Sequence, residues 1–445
     1  MNNRLFSRKD LVRLIIPLIV DQFLQVAVGL SDSIMVARVG EAAVSGVSLV
    51  DTVMLLIINI FTALATGGAV IAGQYLGRKD PKTGCEATAQ LFNFTFLFSI
   101  FIMILGYLGQ NVIPYHVFGK IEPEVMKDSR TYLLIVLASI PMIAMYNAGA
   151  AIFRAMGNSN IAMKTSLLMN SINVFGNALL IFGFHCGVEG VAIPTVVSRG
   201  VACVVILVLL NNQEHALHIL HPYPFKIKWD VLKKILYIGI PNGLENSMFQ
   251  LGKLAIQSTV STLGTTAIAA QAMTNILENL NGMAAIGIGV GLMTIVGQCM
   301  GADRKDEAVY YIKKLSVIAE VAIIVSCLLV FALTGPVTVL GGMEPASAKM
   351  CFHMVIWITI VKPIVWTLAF IPAYGLRAAG DVKFSMAASC ITMWLCRFCL
   401  CVILIRFLEF GTMGVWIGMF ADWTVRAVIF TWRFHSRRWL RYKVI

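Results

Sequence analysis

Six carboxylates stand in stretches of this chain where most neighbours are apolar: Asp21, Asp32 and Asp51 in the first half, Glu245, Glu278 and Glu320 in the second. A charge at the centre of a membrane helix costs about 2.5–3.5 kcal/mol on insertion scales, so each of these groups calls for a partner or a task. One task is proton carriage. Desolvation penalises the charged form, so an Asp that ionises at about 3.9 in water becomes able to take up and release a proton near neutral pH. The competing reading is a satisfied polar residue that only packs helices together. Asp422, with Arg426 one turn on, fits that structural role as an ion pair. Lys253 lies two turns from Glu245 and is placed to neutralise either that acid or Glu278.

The elements that hold these residues must be membrane helices. The 445 residues are 58% hydrophobic and 13% charged, against about 45–50% and roughly 25% in ordinary soluble chains. A water-soluble fold of this size cannot hide so much apolar side chain. Twelve segments have the length of about 20 residues that crosses a ~30 Å hydrocarbon core: 11–37, 47–76, 88–109, 131–153, 163–184, 190–211, 233–260, 268–299, 311–333, 352–375, 384–407 and 413–433. Their apolar runs are continuous, which excludes the alternating strands of a membrane barrel. The expectation is an all-α polytopic membrane protein, with no removable signal peptide after the basic start at Arg4, Arg8 and Lys9.

Charge distribution sets the expected orientation. The net charge of +12 comes from basic residues concentrated in every second connection, among them Arg78, Lys79, Lys226, Lys228, Arg304, Lys305, Arg437 and Arg438. The opposite connections hold Arg38, Lys120, Lys127, Arg130, Lys349 and Arg406. That asymmetry places both termini in the cytoplasm of a multi-pass plasma-membrane protein. Nothing gathers the charge onto one folded face, so no nucleic-acid partner is expected; anionic lipid is. The ten cysteines follow no metal or disulfide spacing and read as small core residues.

The two halves repeat. At an offset of 224 residues Pro17 falls on Pro241, Gly40 on Gly264, Gly67 on Gly291, Gly73-Gln74 on Gly297-Gln298 and Gly77 on Gly301; at 223, Arg154 meets Arg377 and Gly157 meets Gly380. The matches concentrate in Pro and Gly, which fix backbone geometry. Six spans per half make the repeat parallel, with a cavity between two lobes as the expected substrate site. The lobes are 1–210 and 231–445, joined by a cytoplasmic connection, 211–230, whose His215, His218 and His221 read as solvated residues and not as metal ligands. No Walker-type phosphate loop and no H-E-x-x-H occurs, so neither nucleotide hydrolysis nor metalloprotease chemistry is indicated, and no cofactor or metal is expected.

The stretch Gly29-Leu-Ser-Asp32-Ser-Ile-Met35-Val-Ala, with Gly40-Glu-Ala-Ala43 and Ala72-Gly-Gln74-Tyr-Leu-Gly77 after it, resembles the multidrug and toxic compound extrusion family. So do the second copy, Gly239-Ile-Pro241 to Val296-Gly-Gln298-Cys-Met-Gly301, and the turns Arg154-Ala-Met-Gly157 and Arg377-Ala-Ala-Gly380. The resemblance covers essentially the whole chain. It implies two six-helix bundles arranged as a V and a secondary antiporter, not an enzyme. Such a protein expels amphipathic or cationic small molecules in exchange for protons or, in one branch, sodium.

The resemblance also assigns roles. Asp32 matches the first-helix acid used for ion coupling. In one branch an Asn followed four residues later by an Asp completes that site; here the pair is Asn173 and Asn177, so the second carboxylate is an amide that cannot carry a proton. This leaves Asp32 to act alone or with Asp21. The two acids of the sodium branch fall on Phe249 and Trp366, which favours protons over sodium. The expected substrate cavity comprises Gln25, Met35, Glu245, Met248, Phe249, Lys253, Glu278 and Met283, with Met chosen for its ability to repack around varied ligands. A monomer is expected. The alternative is a flippase for lipid-linked substrates, which would use a cationic cavity; Arg199, Lys253, Lys362 and Arg397 keep it open.

Overall fold

The computed structural model describes residues 4–113 and 122–445, so Lys120, expected on the outer side, lies outside the described residues. Apolar backbone in oil must bond its N–H and C=O groups within its own segment, and helix is the only regular structure among the described residues. The first half forms α1 (Arg8–Ala37), α2 (Glu41–Gly77), α3 (Pro81–Leu108), α4 (Pro123–Leu137), α5 (Ile140–Ala155), α6 (Ser159–Ala178) and α7 (Glu189–Leu210). The second forms α8 (Trp229–Val260), α9 (Thr265–Gly301), α10 (Lys305–Leu340), α11 (Pro345–Ala378), α12 (Val382–Thr392), α13 (Leu400–Arg406) and α14 (Met413–His435). A π-helical turn, Met393–Cys399, joins α12 to α13 as one span, and a second such turn, Leu179–Gly183, extends α6.

Among the described residues, ten helical spans are long and apolar enough to cross a membrane, and α4 with α5 makes an eleventh that is bent by 51°. Pro141, at the start of α5, explains the bend, because it has no N–H to continue the ladder. Ser139 Oγ donates to the Val136 carbonyl at 2.6 Å beside the break. Helix α8 is the twelfth span. Asn242, Glu245 and Asn246 dilute its apolar character, yet its 32 residues extend about 48 Å at ~1.5 Å per residue. Helices α7 and α10 expose rows such as Val204, Val208, Val317, Val321 and Leu328, faces that hydrocarbon accepts and water does not.

The repeat is written in the backbone. Helices α2 and α9 are both 37 residues long, with ends at the same 224-residue offset. Left-handed residues recur at matching places: Lys79 and Asp303 have φ of 64° and 56°, His185 and Glu409 51° and 53°, Gly157 and Gly380 80° and 100°. In contrast, α11 runs unbroken through Pro363 and Pro372 where its counterpart divides into α4 and α5.

The chain forms two compact units, Arg8–Gly243 and Leu244–Val444, the latter with the first residues of the chain. The division falls within α8. In the first unit the core gathers Met35, Val36, Val50, Met54, Phe61, Leu133 and Ile140. The connection after α7 is strapped to α3: Gln90 Nε2 donates to the Lys226 carbonyl at 3.0 Å, Asn93 Nδ2 to that of Pro224 at 2.8 Å, and Lys228 Nζ to Glu86 at 2.7 Å. Its histidines are engaged in protein contacts, His221 with Asn211 at 2.6 Å and His218 with the His215 carbonyl at 2.9 Å. In the second unit, Leu5 N donates to Glu307 at 2.8 Å and Tyr311 Oη to the Phe6 carbonyl at 2.8 Å.

Candidate functional site

Helix α1 carries Asp32 towards its far end, and α6 and α7 bring polar partners to it. Asn177, fully buried, donates from Nδ2 to Asp32 Oδ1 at 2.9 Å. Asn173, one turn earlier on α6, lies against both carboxylate oxygens, and its amide fits in two orientations. With the nitrogen towards Thr195, it donates to Thr195 Oγ1 at 3.1 Å, and its oxygen accepts from Asn177 at 3.2 Å. Turned over, its nitrogen donates to Asp32 Oδ1 at 3.0 Å and Oδ2 at 3.2 Å, its oxygen accepts from Thr195 at 3.1 Å, and the bond from Asn177 is given up, two amide nitrogens then lying 3.2 Å apart. Thr195 Oγ1 also donates to the Val191 carbonyl at 2.8 Å, one turn back on α7. The hydroxyl has a single proton, so it serves either the Val191 carbonyl or the amide oxygen.

The two orientations suit two charge states. A carboxylate facing an amide oxygen at 3.0–3.2 Å is two acceptors without a proton, which a protonated Asp32 relieves by donating. An ionised Asp32 asks for the turned amide, whose nitrogen it accepts. No ion pair holds Asp32 among the described residues.

A second polar group adjoins the first. Tyr132 Oη donates to Asp51 Oδ1 at 3.0 Å, and Arg199 Nη1 donates to Ser139 Oγ at 2.8 Å, at the bend between α4 and α5. Asp51 and Arg199 both lie within electrostatic reach of Asp32. Sequence reasoning noted Asp51 and Arg199 separately and missed Thr195 and Tyr132. A lone Thr or Tyr in an apolar helix has no distinguishing pattern.

Asp21 is buried at the middle of α1, accepts from Gln25 Nε2 at 3.1 Å, and lies within electrostatic reach of Arg154. It is about three turns before Asp32 on α1 and shares none of that carboxylate's partners. Its repeat counterpart Glu245 pairs with Arg377 at 2.5 Å. Asp21 and Glu245 each stand four residues after the aligned Pro17 and Pro241, and the arginines near them, Arg154 and Arg377, are themselves repeat counterparts. Met35 and Met283 are buried at 6% and 3% exposure, each packed in its own unit, whereas Met248 and Phe249 are half-buried.

The expected neutralisation of Glu245 or Glu278 by Lys253 does not occur. Arg377 takes Glu245, and Lys362, fully buried on α11, takes Glu278 at 2.6 Å while also donating to the Glu278 carbonyl at 3.0 Å and to Asn281. Asp422 and Arg426 do pair, at 2.7 Å. Lys253 Nζ and Arg397 Cζ instead lie 4.9 and 5.0 Å from the centre of the Phe249 ring. Lys362 lies 5.2 Å from the ring of Trp366, the other position aligned with a sodium-branch acid.

The comparisons with known proteins agree with this architecture. The MatE profile matches twice, at residues 17–179 and 241–403, beginning on Pro17 and Pro241 at the offset of the internal repeat. A relative named probable multidrug resistance protein NorM, from Thermotoga maritima, is 24% identical over 98% of this chain and 94% of its own length. Among solved structures, one titled as a crystal structure of MATE in complex with MaL6 superposes with a TM-score of 0.88 at 19% identity, covering 96% of each chain. Another, titled as a MOP superfamily transporter from Pyrococcus furiosus with reverse polarity of its binding pocket, gives a TM-score of 0.87 at 19% identity over 98% of this chain and 97% of that one. With the family profile spanning both halves, the twelve-helix chain belongs to the MatE family of membrane transporters.

Proposed function

We propose that the chain is a proton-coupled antiporter that exports amphipathic small molecules across the plasma membrane by alternating access, with Asp32 as the proton carrier. The observation that carries this reading is an acid on a membrane helix, free of any ion pair among the described residues. Its hydrogen-bond partners can be satisfied in both of its charge states. Protonation sends the Asp32 hydrogen to the Asn173 oxygen and leaves Thr195 bonded to the Val191 carbonyl. Deprotonation turns the Asn173 amide and draws the Thr195 hydroxyl away from that carbonyl, one turn before Pro194 removes an N–H from the α7 ladder. The charge on α1 is thereby linked to the backbone of α7.

Protons are favoured over sodium because the positions aligned with the sodium-branch acids are Phe249 and Trp366, each with a lysine or arginine over its ring. A proton gradient is a sufficient source. One charge crossing ~100 mV releases about 2.3 kcal/mol, roughly a fifty-fold concentration ratio at ~1.4 kcal/mol per decade. In inverted vesicles with an imposed proton gradient, Asp32→Asn is expected to abolish ethidium transport while the protein inserts normally. Undiminished transport by that variant would refute the assignment, and transport that follows sodium with no response to protons would replace the coupling ion.

A further inference from the structure

The second unit gathers more positive charge around Phe249 than it neutralises, with Arg397 buried and Lys253 exposed beside the ring. Lys362 donates to Glu278 Oε1, the Glu278 carbonyl and Asn281 Oδ1, so all three of its hydrogens have acceptors. Arg426 donates from Nε to Asp422 Oδ1 at 2.7 Å and from Nη2 to the Ser389 carbonyl at 2.9 Å. These two cations balance the two acids, Glu278 and Asp422.

Arg397 and Lys253 are left over. Arg397, on the π-helical turn after α12, is 5% exposed. Its Nη1 lies 3.7 Å from Met393 Sδ and 4.0 Å from Asp422 Oδ2, the oxygen of that acid that Arg426 does not bond, and its buried Nε has no hydrogen-bond partner. Lys253, on α8, forms no ion pair among the described residues; its contact is with the Phe249 ring that it shares with Arg397. The two distances to that ring put the ammonium and guanidinium within about 10 Å of each other. For the buried Arg397, attraction to one aromatic ring is weaker than the cost of withdrawing its charge from water. Like charges this close also repel each other.

We propose that Lys253 and Arg397 form an anion-binding subsite, which takes the carboxylate, sulfonate or phosphate head of an amphiphile and lays its apolar body against Phe249. A guanidinium with an unused N–H and a mobile ammonium are the donors that such oxyanions bond best. The inference rests on the reading of the chain as an exporter of amphiphiles and adds that its cargo includes amphiphiles with an acidic group. A head group of this kind belongs equally to a free amphiphilic acid and to an anionic phospholipid.

The test is equilibrium binding to the purified chain in phosphatidylcholine nanodiscs, with no gradient present, so that its result does not depend on proton coupling. The probes are labelled taurocholate and, as a cation of similar bulk, tetraphenylphosphonium. Taurocholate is expected to bind. Lys253→Gln should weaken it about tenfold, the loss of roughly one charge-assisted contact, and Lys253→Glu should abolish it without weakening tetraphenylphosphonium. Arg397→Lys, which keeps the charge, should bind better than Arg397→Gln, with thermal melting run on each variant to confirm the fold. Dihexanoylphosphatidylglycerol that competes in a Lys253-dependent way supports the subsite with phospholipid as its occupant; taurocholate binding without such competition supports a free acid. No taurocholate binding to the unaltered chain, or equal binding to Lys253→Gln, overturns the proposal.

Discussion

A lysine ammonium withdrawn from water is tolerated only where acceptors take its three hydrogens, and Lys362 meets that condition at 0% exposure through Glu278 and Asn281. Removing one member of such a pair strands the other. Lys362→Met is therefore expected to cost about 3–5 kcal/mol, because Glu278 keeps its charge without a partner. The double variant Lys362→Met with Glu278→Gln should recover most of that loss, since the remaining groups are neutral. Thermal melting of the purified variants reads both; a double variant no more stable than the single would show that the lysine matters for its volume and not its charge. Asp32 differs in kind. Its partners are the amides of Asn177 and Asn173, which suit either of its charge states, and this is why it and not Glu278 is assigned the proton.

Helix contacts in this chain are set at places where no side chain fits. A Cβ on Gly67 of α2 would stand 2.6 Å from the Ile235 carbonyl oxygen and 2.8 Å from Gly239 N on α8, both backbone atoms that cannot step aside. Gly67→Ala should force those helices apart at a cost of roughly 1–3 kcal/mol, seen as a lower thermal midpoint. Gly73→Ala, whose Cβ would meet Ala155 at 3.8 Å, should be neutral; equal loss in both would point to helix flexibility and not to close approach. Such glycines, with the prolines, made the repeat legible in the sequence, because they mark backbone geometry that both halves need. The spans were legible for the same kind of reason, length and apolarity, and even α8 was readable by its length. What could not be read was the rotation of one helix against another. Lys253 and Glu245 share a helix and invited a pairing, but Arg377, 132 residues away, takes Glu245, and Lys362, 84 away, takes Glu278. The polar groups around Asp32 divide likewise: Asn173 and Asn177 followed from a motif, whereas Thr195, which bonds Asn173, comes from a helix whose sequence gives no sign of it.

At the scale of the whole chain, the side of the membrane that the Asp32 end of α1 faces depends on which side each connection faces. Twelve spans return the chain to the side on which it starts, and the parallel repeat requires both halves to enter from that same side. Charge is the argument for proposing that this side is the cytoplasm. Arg78, Lys79, Lys226, Lys228, Arg304 and Lys305 lie in connections on the side of the termini, and moving them through the bilayer during insertion is unfavourable. A green fluorescent protein fused after Ile445 should therefore fluoresce in a bacterial host, since it folds in the cytoplasm. Alkaline phosphatase fused at the same point should be inactive. The phosphatase inserted at Gly342, in the turn between α10 and α11, should be active, because that turn lies an odd number of spans from either end. The reverse pattern would place Asp32, near the far end of α1, towards the cytoplasm. Exchange would still follow the proton gradient, so reporter activity at these two positions tests the orientation of the acid separately from the identity of the ion.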